Sequence, residues 1–322
     1  MPIPTPVFQW LIIKSLTWGR FRCLPMRNKY KLTVILLLLI TFTPGISFGQ
    51  IHFGVFADCQ FCDCKTEGSR YYRDSSGKLA DCIAHFNKNK QLGFVVNLGD
   101  LIDRDFESYT LLEPVLKQIE KPLFHVPGNH DLEVEPALRS QVPKELGLAE
   151  MYHSFQKENW HFVFLNGNDI SFLSSDPDVV KKAEKITTRL KAEGKPNYHP
   201  WNGGLGQKQL EWLENQLQEA ENNKLKVAVF CHYPLLPLES HTLWNQEETL
   251  ALLEKYSCVK LWLNGHNHTG NYAFHHGIHF VNLKGMVETK SENAFAEIVL
   301  SSGAIEIKGY GREESRKLPV QQ

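Results

Sequence analysis

Five short clusters in this chain carry the residue types that hold metal ions. They are Asp58-Cys59-Gln60, Gly99-Asp100-Leu101-Ile102-Asp103, Gly128-Asn129-His130-Asp131, a lone His232, and Gly265-His266-Asn267-His268. Each by itself reads as a turn, a cap or a hydrogen-bonded core histidine. Together they offer carboxylates, imidazoles and neutral amides in numbers that suit two divalent cations. Every cluster follows, directly or after one residue, an apolar, β-rich run, at 51–57, 94–98, 122–126, 227–231 and 259–263. Ligand sites in open α/β sheets lie beyond the carboxyl ends of strands, so the pattern predicts a dinuclear metal site at such a rim.

The elements that must position these clusters follow from the hydrophobic pattern. A further β-rich run occupies 161–165, and helical patterns lie at 71–89, 179–193 and 206–221. In the last of these, Leu210, Leu213 and Leu217 share one face. Segments 279–283, 295–300 and 304–308 read as antiparallel strands, with turns at His276-Gly277 and Ser302-Gly303. No repeat or wide linker interrupts the alternation, which predicts a single α/β domain over residues 50–322. Residues 166–204, loop formers around one charged helix, read as an irregular insertion over one face.

The composition, 42% apolar and 22% charged, is that of a globular protein. Of the 35 Lys and Arg, six lie in residues 1–49 beside no acidic residue, and the other 29 face 36 Asp and Glu. A body near −7 has no field to hold nucleic acid through its backbone, so any phosphate must be met in a local site. The apolar run 32–42 follows Arg27, Lys29 and Lys31 and precedes Ser47 and Gly49. This is the form of a signal peptide cleaved before Gln50, with Met26 as the expected initiator. Residues 1–49 are thus expected to export the protein, with no stable membrane association after cleavage. Anchorage through 32–48 is the alternative, although an eleven-residue apolar run falls short of the roughly 20 residues that span a bilayer. In an oxidising compartment one disulfide is expected among Cys62, Cys64 and Cys82. Cys231, inside an apolar run, reads as a buried thiol.

In this order the five clusters resemble the blocks of the calcineurin-like metallophosphoesterases: D-x-H, G-D-x-x-D, G-N-H-D/E, a His after a strand, and G-H-x-H. The likeness runs from about residue 51 to 312 and implies a four-layer α-β-β-α sandwich of mixed sheets. Carried over by motif, Asp58, Gln60, Asp100 and His268 hold one metal. Asp100 bridges to a second metal held by Asn129, His232 and His266. The resemblance makes His130 a residue that faces the substrate and Asp131 the residue that orients it. Asp103 is read as orienting its loop or a ligand histidine. Gln60 stands where most of the superfamily has His. That Asp-x-Gln start is similar to the manganese-dependent ADP-ribose/CDP-alcohol diphosphatases. So are Arg70-Tyr71-Tyr72-Arg73, Asn202-Gly203-Gly204, His268-Thr269-Gly270-Asn271-Tyr272 and Val287-Glu288-Thr289.

The resemblance implies hydrolysis of the diphosphate in nucleotide-like substrates such as ADP-ribose and CDP-alcohols. Two carboxylates meeting two divalent cations leave a site near +2, which binds phosphate and acidifies a bridging water for in-line attack. The amide oxygens of Gln60 and Asn129 hold metal without cancelling its charge. An oxygen-rich first site favours Mn²⁺ or Mg²⁺, with Fe and Zn as further candidates. His130 is placed to protonate the leaving group. Arg70 and Arg73 are candidates to hold a second phosphate, and Tyr272 to stack on a base or ribose. His275, His276 and His279 fall in an expected hairpin whose side chains alternate across faces, and are read as structural. A phosphomonoesterase or a cyclic-nucleotide phosphodiesterase is the alternative on the same site. A non-catalytic binding scaffold is the reading from another class.

Overall fold

The structure is a computed structural model that describes residues 49–321. The expected signal segment, its initiator Met26 and the alternative anchor at 32–48 lie outside the described residues. The chain begins with β1 (Ile51–Phe56), α1 (Tyr72–Lys88), β2 (Phe94–Asn97), α2 (Glu107–Leu116), β3 (Leu123–His125), α3 (Asn129–Leu132) and α4 (Val142–Glu145). It continues through β4 (His153–Lys157), β5 (Trp160–Phe164), α5 (Pro177–Ala192), α6 (Gln207–Asn222), β6 (Lys226–Phe230) and α7 (Gln246–Leu253). The last third is β7 (Val259–Asn264), β8 (Asn271–His275), β9 (Ile278–Asn282), β10 (Ala294–Leu300), β11 (Ala304–Gly311) and β12 (Arg316–Pro319).

Two six-stranded mixed sheets form, ordered β12-β11-β10-β1-β2-β3 and β4-β5-β6-β7-β9-β8. The strands that lead into the five clusters run parallel within each sheet: β1, β2 and β3 in one, β6 and β7 in the other. Their carboxyl ends therefore share one rim. Apolar residues hold the sheets face to face, and Phe53 of β1 stacks on Phe94 at 4.9 Å and meets Phe162 of β5 edge-on at 6.1 Å. On the outer face of the first sheet, Leu79, Ile83 and Phe86 of α1 cover Phe56 and Val95. On the other outer face, Leu210, Leu213 and Leu217 of α6 cover Val163, Val227 and Val229. This is the expected four-layer α-β-β-α arrangement.

Residues 166–204 are more regular than their composition suggests. Asp176 caps α5 by accepting from the Asp178 N–H at 2.9 Å, and Pro177 occupies the first helical position. Ile170 and Gly204 exchange backbone hydrogen bonds of 2.8 and 2.9 Å, which close the segment at its base.

Two expectations about strands need correction. Segment 279–283 was grouped with the C-terminal strands, but β9 joins the second sheet, parallel to β7 and antiparallel to β8, while β10 and β11 join the first. Strands β4 and β12 carried no clear signal in the sequence, and β8 only the turn that ends it at His276-Gly277. All three are sheet edges, where one flank faces away from the sheet and apolar alternation is not required. Of the three cysteines expected to supply a disulfide, Cys62 and Cys64 are bonded, and Cys82 is a buried free thiol.

Candidate metal centre

The rim is built half by half. From the first sheet, β1 runs into Asp58 and Gln60, β2 into Asp100, and β3 into Asn129 and His130. From the second, β6 runs into His232 and β7 into His266 and His268. Asp58, Asp100 and His232 are fully buried, and His268 is partly exposed. The backbone bends sharply to bring these side chains together. Asp58, Gln60, Asp100 and His266 sit at φ of 52°, 44°, 54° and 71°, a left-handed conformation that residues with a Cβ seldom adopt. Gly128 is required where it stands, because a Cβ there would overlap the Asp100 carboxylate.

The seven candidate ligands converge. Asp100 Oδ2 lies 3.1 Å from His232 Nε2 and 3.2 Å from Gln60 Nε2. Gln60 Nε2 is also 3.2 Å from His268 Nε2, and His268 Nε2 is 3.5 Å from Asp58 Oδ1. His266 Nδ1 is 3.2 Å from His232 Nε2, and the Asp58 carboxylate accepts from the His266 backbone N–H. Ligand atoms of Asp100, His232 and His266 all lie within 4.8 Å of one another. The amide groups fit metals in a specific way. The Gln60 nitrogen is tied to Asp100 and the Asn129 nitrogen to Glu133 at 3.3 Å, whereas buried Gln60 Oε1 and Asn129 Oδ1 have no hydrogen-bond partner. Buried acceptors without a donor are costly unless a cation satisfies them.

The imidazoles are oriented from outside the cluster, as metal-binding histidines require. His232 Nδ1 meets the Leu98 carbonyl at 2.8 Å, His268 Nδ1 meets Glu288 Oε1 at 2.7 Å, and His266 Nε2 meets Asn202 Oδ1 at 2.9 Å. Hydrogen bonding from His268, against the opposing effect of burial, brings Glu288 down to about 2. Burial and the neighbouring His232 hold His266 well below the usual imidazole value, whereas the Asp100 carboxylate, against burial, holds His232 up at about 9. Glu288 and Asn202 belong to motifs visible in the sequence, but nothing there showed which histidine each would meet.

His130 opens onto the same cavity, yet its orienting partner differs from the expectation. Asp131 does not face the His130 ring. Its carboxylate accepts the backbone N–H groups of Gly128, Asp100 and Leu101, each at 2.9 Å, and so clamps two ligand loops together. His130 Nδ1 instead lies 2.8 Å from Asp103 Oδ1 and 2.9 Å from Glu133 Oε2. Burial disfavours a charged ring, but the Asp100, Asp103 and Glu133 carboxylates outweigh it and hold His130 well above the ordinary imidazole range. The ring therefore carries a proton it can give.

The cavity at the rim has a volume of about 360 Å³ and is lined by Gln60, Arg70, Asp100, Asn129, His130, Glu133, Trp201, His241, His266 and His268. A larger hollow of about 930 Å³ between α5 and α6 contains none of the candidate ligands, so donor chemistry and not size marks the site. Arg70 joins the pocket, held by backbone pairing with Glu288. Arg73 does not: its guanidinium points to Asp63 on the surface. Tyr272 also lies elsewhere, on edge strand β8, with its hydroxyl 3.0 Å from His279 Nδ1 and its ring beneath Arg316. His241, with its ring centroid 5.3 Å from that of His266, is a pocket residue that no sequence motif marked.

Two mixed sheets meeting at a rim of buried carboxylates, amides and imidazoles define a metal-dependent phosphoesterase. The chain belongs to the calcineurin-like phosphoesterase family, whose sequence profile matches residues 51–270. It is 30% identical to a manganese-dependent ADP-ribose/CDP-alcohol diphosphatase of Arabidopsis thaliana, over 82% of this chain and 95% of that one. The Mus musculus protein of the same name is 29% identical, over 82% and 92%. Among solved structures, a dimetal phosphatase from Danio rerio superposes with a TM-score of 0.75 and 25% identity, over 84% of this chain and 99% of that one.

Proposed function

We propose that this protein hydrolyses the diphosphate bond of nucleoside-diphosphate-linked substrates such as ADP-ribose and CDP-alcohols, with two divalent ions, manganese above all. The observation that carries the reading is the convergence of seven donors, two of them with unpartnered amide oxygens and five of them lining a pocket that also holds Arg70 and His130. Asp58, Gln60, Asp100 and His268 would hold one ion, and Asp100, Asn129, His232 and His266 the other. When bound, the ions supply an acidified water and Lewis-acid stabilisation of the phosphoryl oxygens. The chain's own residues do the rest. His130, kept protonated by Asp103 and Glu133, gives its proton to the leaving oxygen. Arg70, its backbone held by pairing with Glu288, brings a guanidinium to the pocket for the second phosphate, and Trp201, at 41% exposure, gives the entrance an apolar wall.

The names of the relatives support the substrate class. Export through residues 1–49 is part of the same proposal, and the Cys62–Cys64 disulfide is compatible with an oxidising compartment. The test is product release by the Mn²⁺-loaded protein from ADP-ribose, CDP-choline, cyclic AMP, bis-p-nitrophenyl phosphate and p-nitrophenyl phosphate. Nucleoside monophosphate from the first two, faster than any turnover of the others, is the expected result. Preference for cyclic AMP or a monoester would transfer the same site to the alternative activities and overturn the substrate assignment.

A further inference from the structure

We propose that Glu254, His275 and His276 form a separate surface site for a transition-metal ion, zinc above all, between the end of α7 and the β8–β9 hairpin. One ligand atom from each of these residues lies within 4.8 Å of the other two. His275 Nε2 is 2.7 Å from Glu254 Oε1, and the His275 and His276 rings lie 4.5 Å apart between centroids.

This convergence is not what a hairpin ordinarily produces. Successive strand residues point to opposite faces, so adjacent histidines should diverge. Here His276 and Gly277 form a two-residue turn with φ of 49° and 81°. The left-handed backbone at His276 brings its ring to the side already occupied by His275. His279, the third histidine of the hairpin, stays apart between the Tyr272 hydroxyl and the Pro319 carbonyl.

The surroundings favour a cation. Glu254 caps the carboxyl end of α7, where the helix presents partial negative charge. The neighbouring Lys255 is engaged by Glu214 at 3.2 Å, and among the described residues the ion-pair partner of Glu254 is His275. Two imidazoles and one carboxylate form a borderline donor set that suits Zn²⁺, with solvent supplying the fourth ligand. Calcium and magnesium need six or more oxygens and find one carboxylate here. A tetrahedral ion needs its ligand atoms roughly 3.4 Å apart, so binding would open the 2.7 Å His275–Glu254 pair and draw in the exposed His276 ring. His275 and His276 lie at the end of β8 remote from His268, and none of the three residues lines the catalytic cavity. A bound ion would staple an edge hairpin to α7.

The test counts zinc on the purified protein after chelator treatment, by titration against a chromophoric chelator. Wild type is expected to bind one more equivalent than the His275→Gln/His276→Gln double variant. Glu254→Gln should weaken that extra site by about tenfold or more, since even groups that only orient a ligand cost 10–100-fold when removed. In chelator all three proteins should melt at the same temperature, whereas zinc should raise that of wild type further than that of the double variant. Equal zinc equivalents in wild type and double variant would overturn the site, and so would undiminished affinity in Glu254→Gln. His276→Ala, changed at an exposed turn, repeats the test should the double variant fold poorly.

Discussion

The two sheets bring opposite chemistry to one rim. The first contributes oxygen donors, Asp58, Gln60, Asp100 and Asn129; the second contributes the imidazoles His232, His266 and His268. The backbones differ accordingly. Asp58, Gln60 and Asp100 all adopt left-handed φ in the turns that follow β1 and β2, whereas Asn129 reaches the rim from the first turn of α3. Among the imidazoles only His266 adopts a left-handed φ. Each half is also set by the other: the Leu98 carbonyl of the first sheet's loop orients His232, and Asp58 pins the His266 backbone. The first sheet does place imidazoles near the rim, His125 and His130, but His125 lies outside the pocket and His130 is turned toward carboxylates instead of the donor cluster.

The sharpest way to break this division is at Asp100, which faces both halves. Asp100→Ala is expected to lower kcat/KM by roughly 10³-fold or more, the several kcal/mol that metal ions supply. Metal analysis should show both equivalents lost, whereas His232→Ala should retain one. His130→Ala comes next, with kcat down by about 10²–10⁴-fold and metal content unchanged. Loss of metal in that variant would make His130 a ligand and erase the distinction between the sheets' imidazoles.

His125 tests the same distinction through stability. Burial lowers it from 6.5 to about 4, and Asn97 Nδ2 lies 3.2 Å from its Nδ1. The unfolded chain takes up this proton below about pH 6.5 and the folded chain only below about 4. Stability should therefore be lost as pH falls between those values, on the order of 3 kcal/mol, and level off below. Denaturant melts at pH 7 and 4.5 should show a smaller drop for His125→Gln than for wild type. The smallest effect is a change of preference. Gln60→His places an imidazole on the oxygen side and should shift metal choice toward Zn²⁺ by about tenfold, read as bound Zn over Mn after equilibration with equal amounts of both.

Much of the core was legible because its strands are central. Val95, Val96, Val227 and Val229 lie in apolar runs that a buried strand demands, while β4, β8 and β12 belong to edges that make no such demand. The donors were legible for a related reason. A strand followed by a tight turn is a local event, so Asp58, Asp100, Asn129 and His266 appear in order at strand ends.

What each donor touches is another matter. Arg70 and Arg73 stand three residues apart in the sequence, and only the fold sends one into the pocket and the other to Asp63. Asp131 follows His130 directly, yet it clamps backbone N–H groups thirty residues away, and Asp103 takes the imidazole. The sequence by itself determined which donor atoms this protein brings to its strand ends, because ligand type is a property of the side chain and strand–turn order is written locally. The tertiary structure alone decided which group orients which. Those pairings join residues as distant as Leu98 and His232, 134 positions apart, and only the packing of two sheets brings them within hydrogen-bond reach.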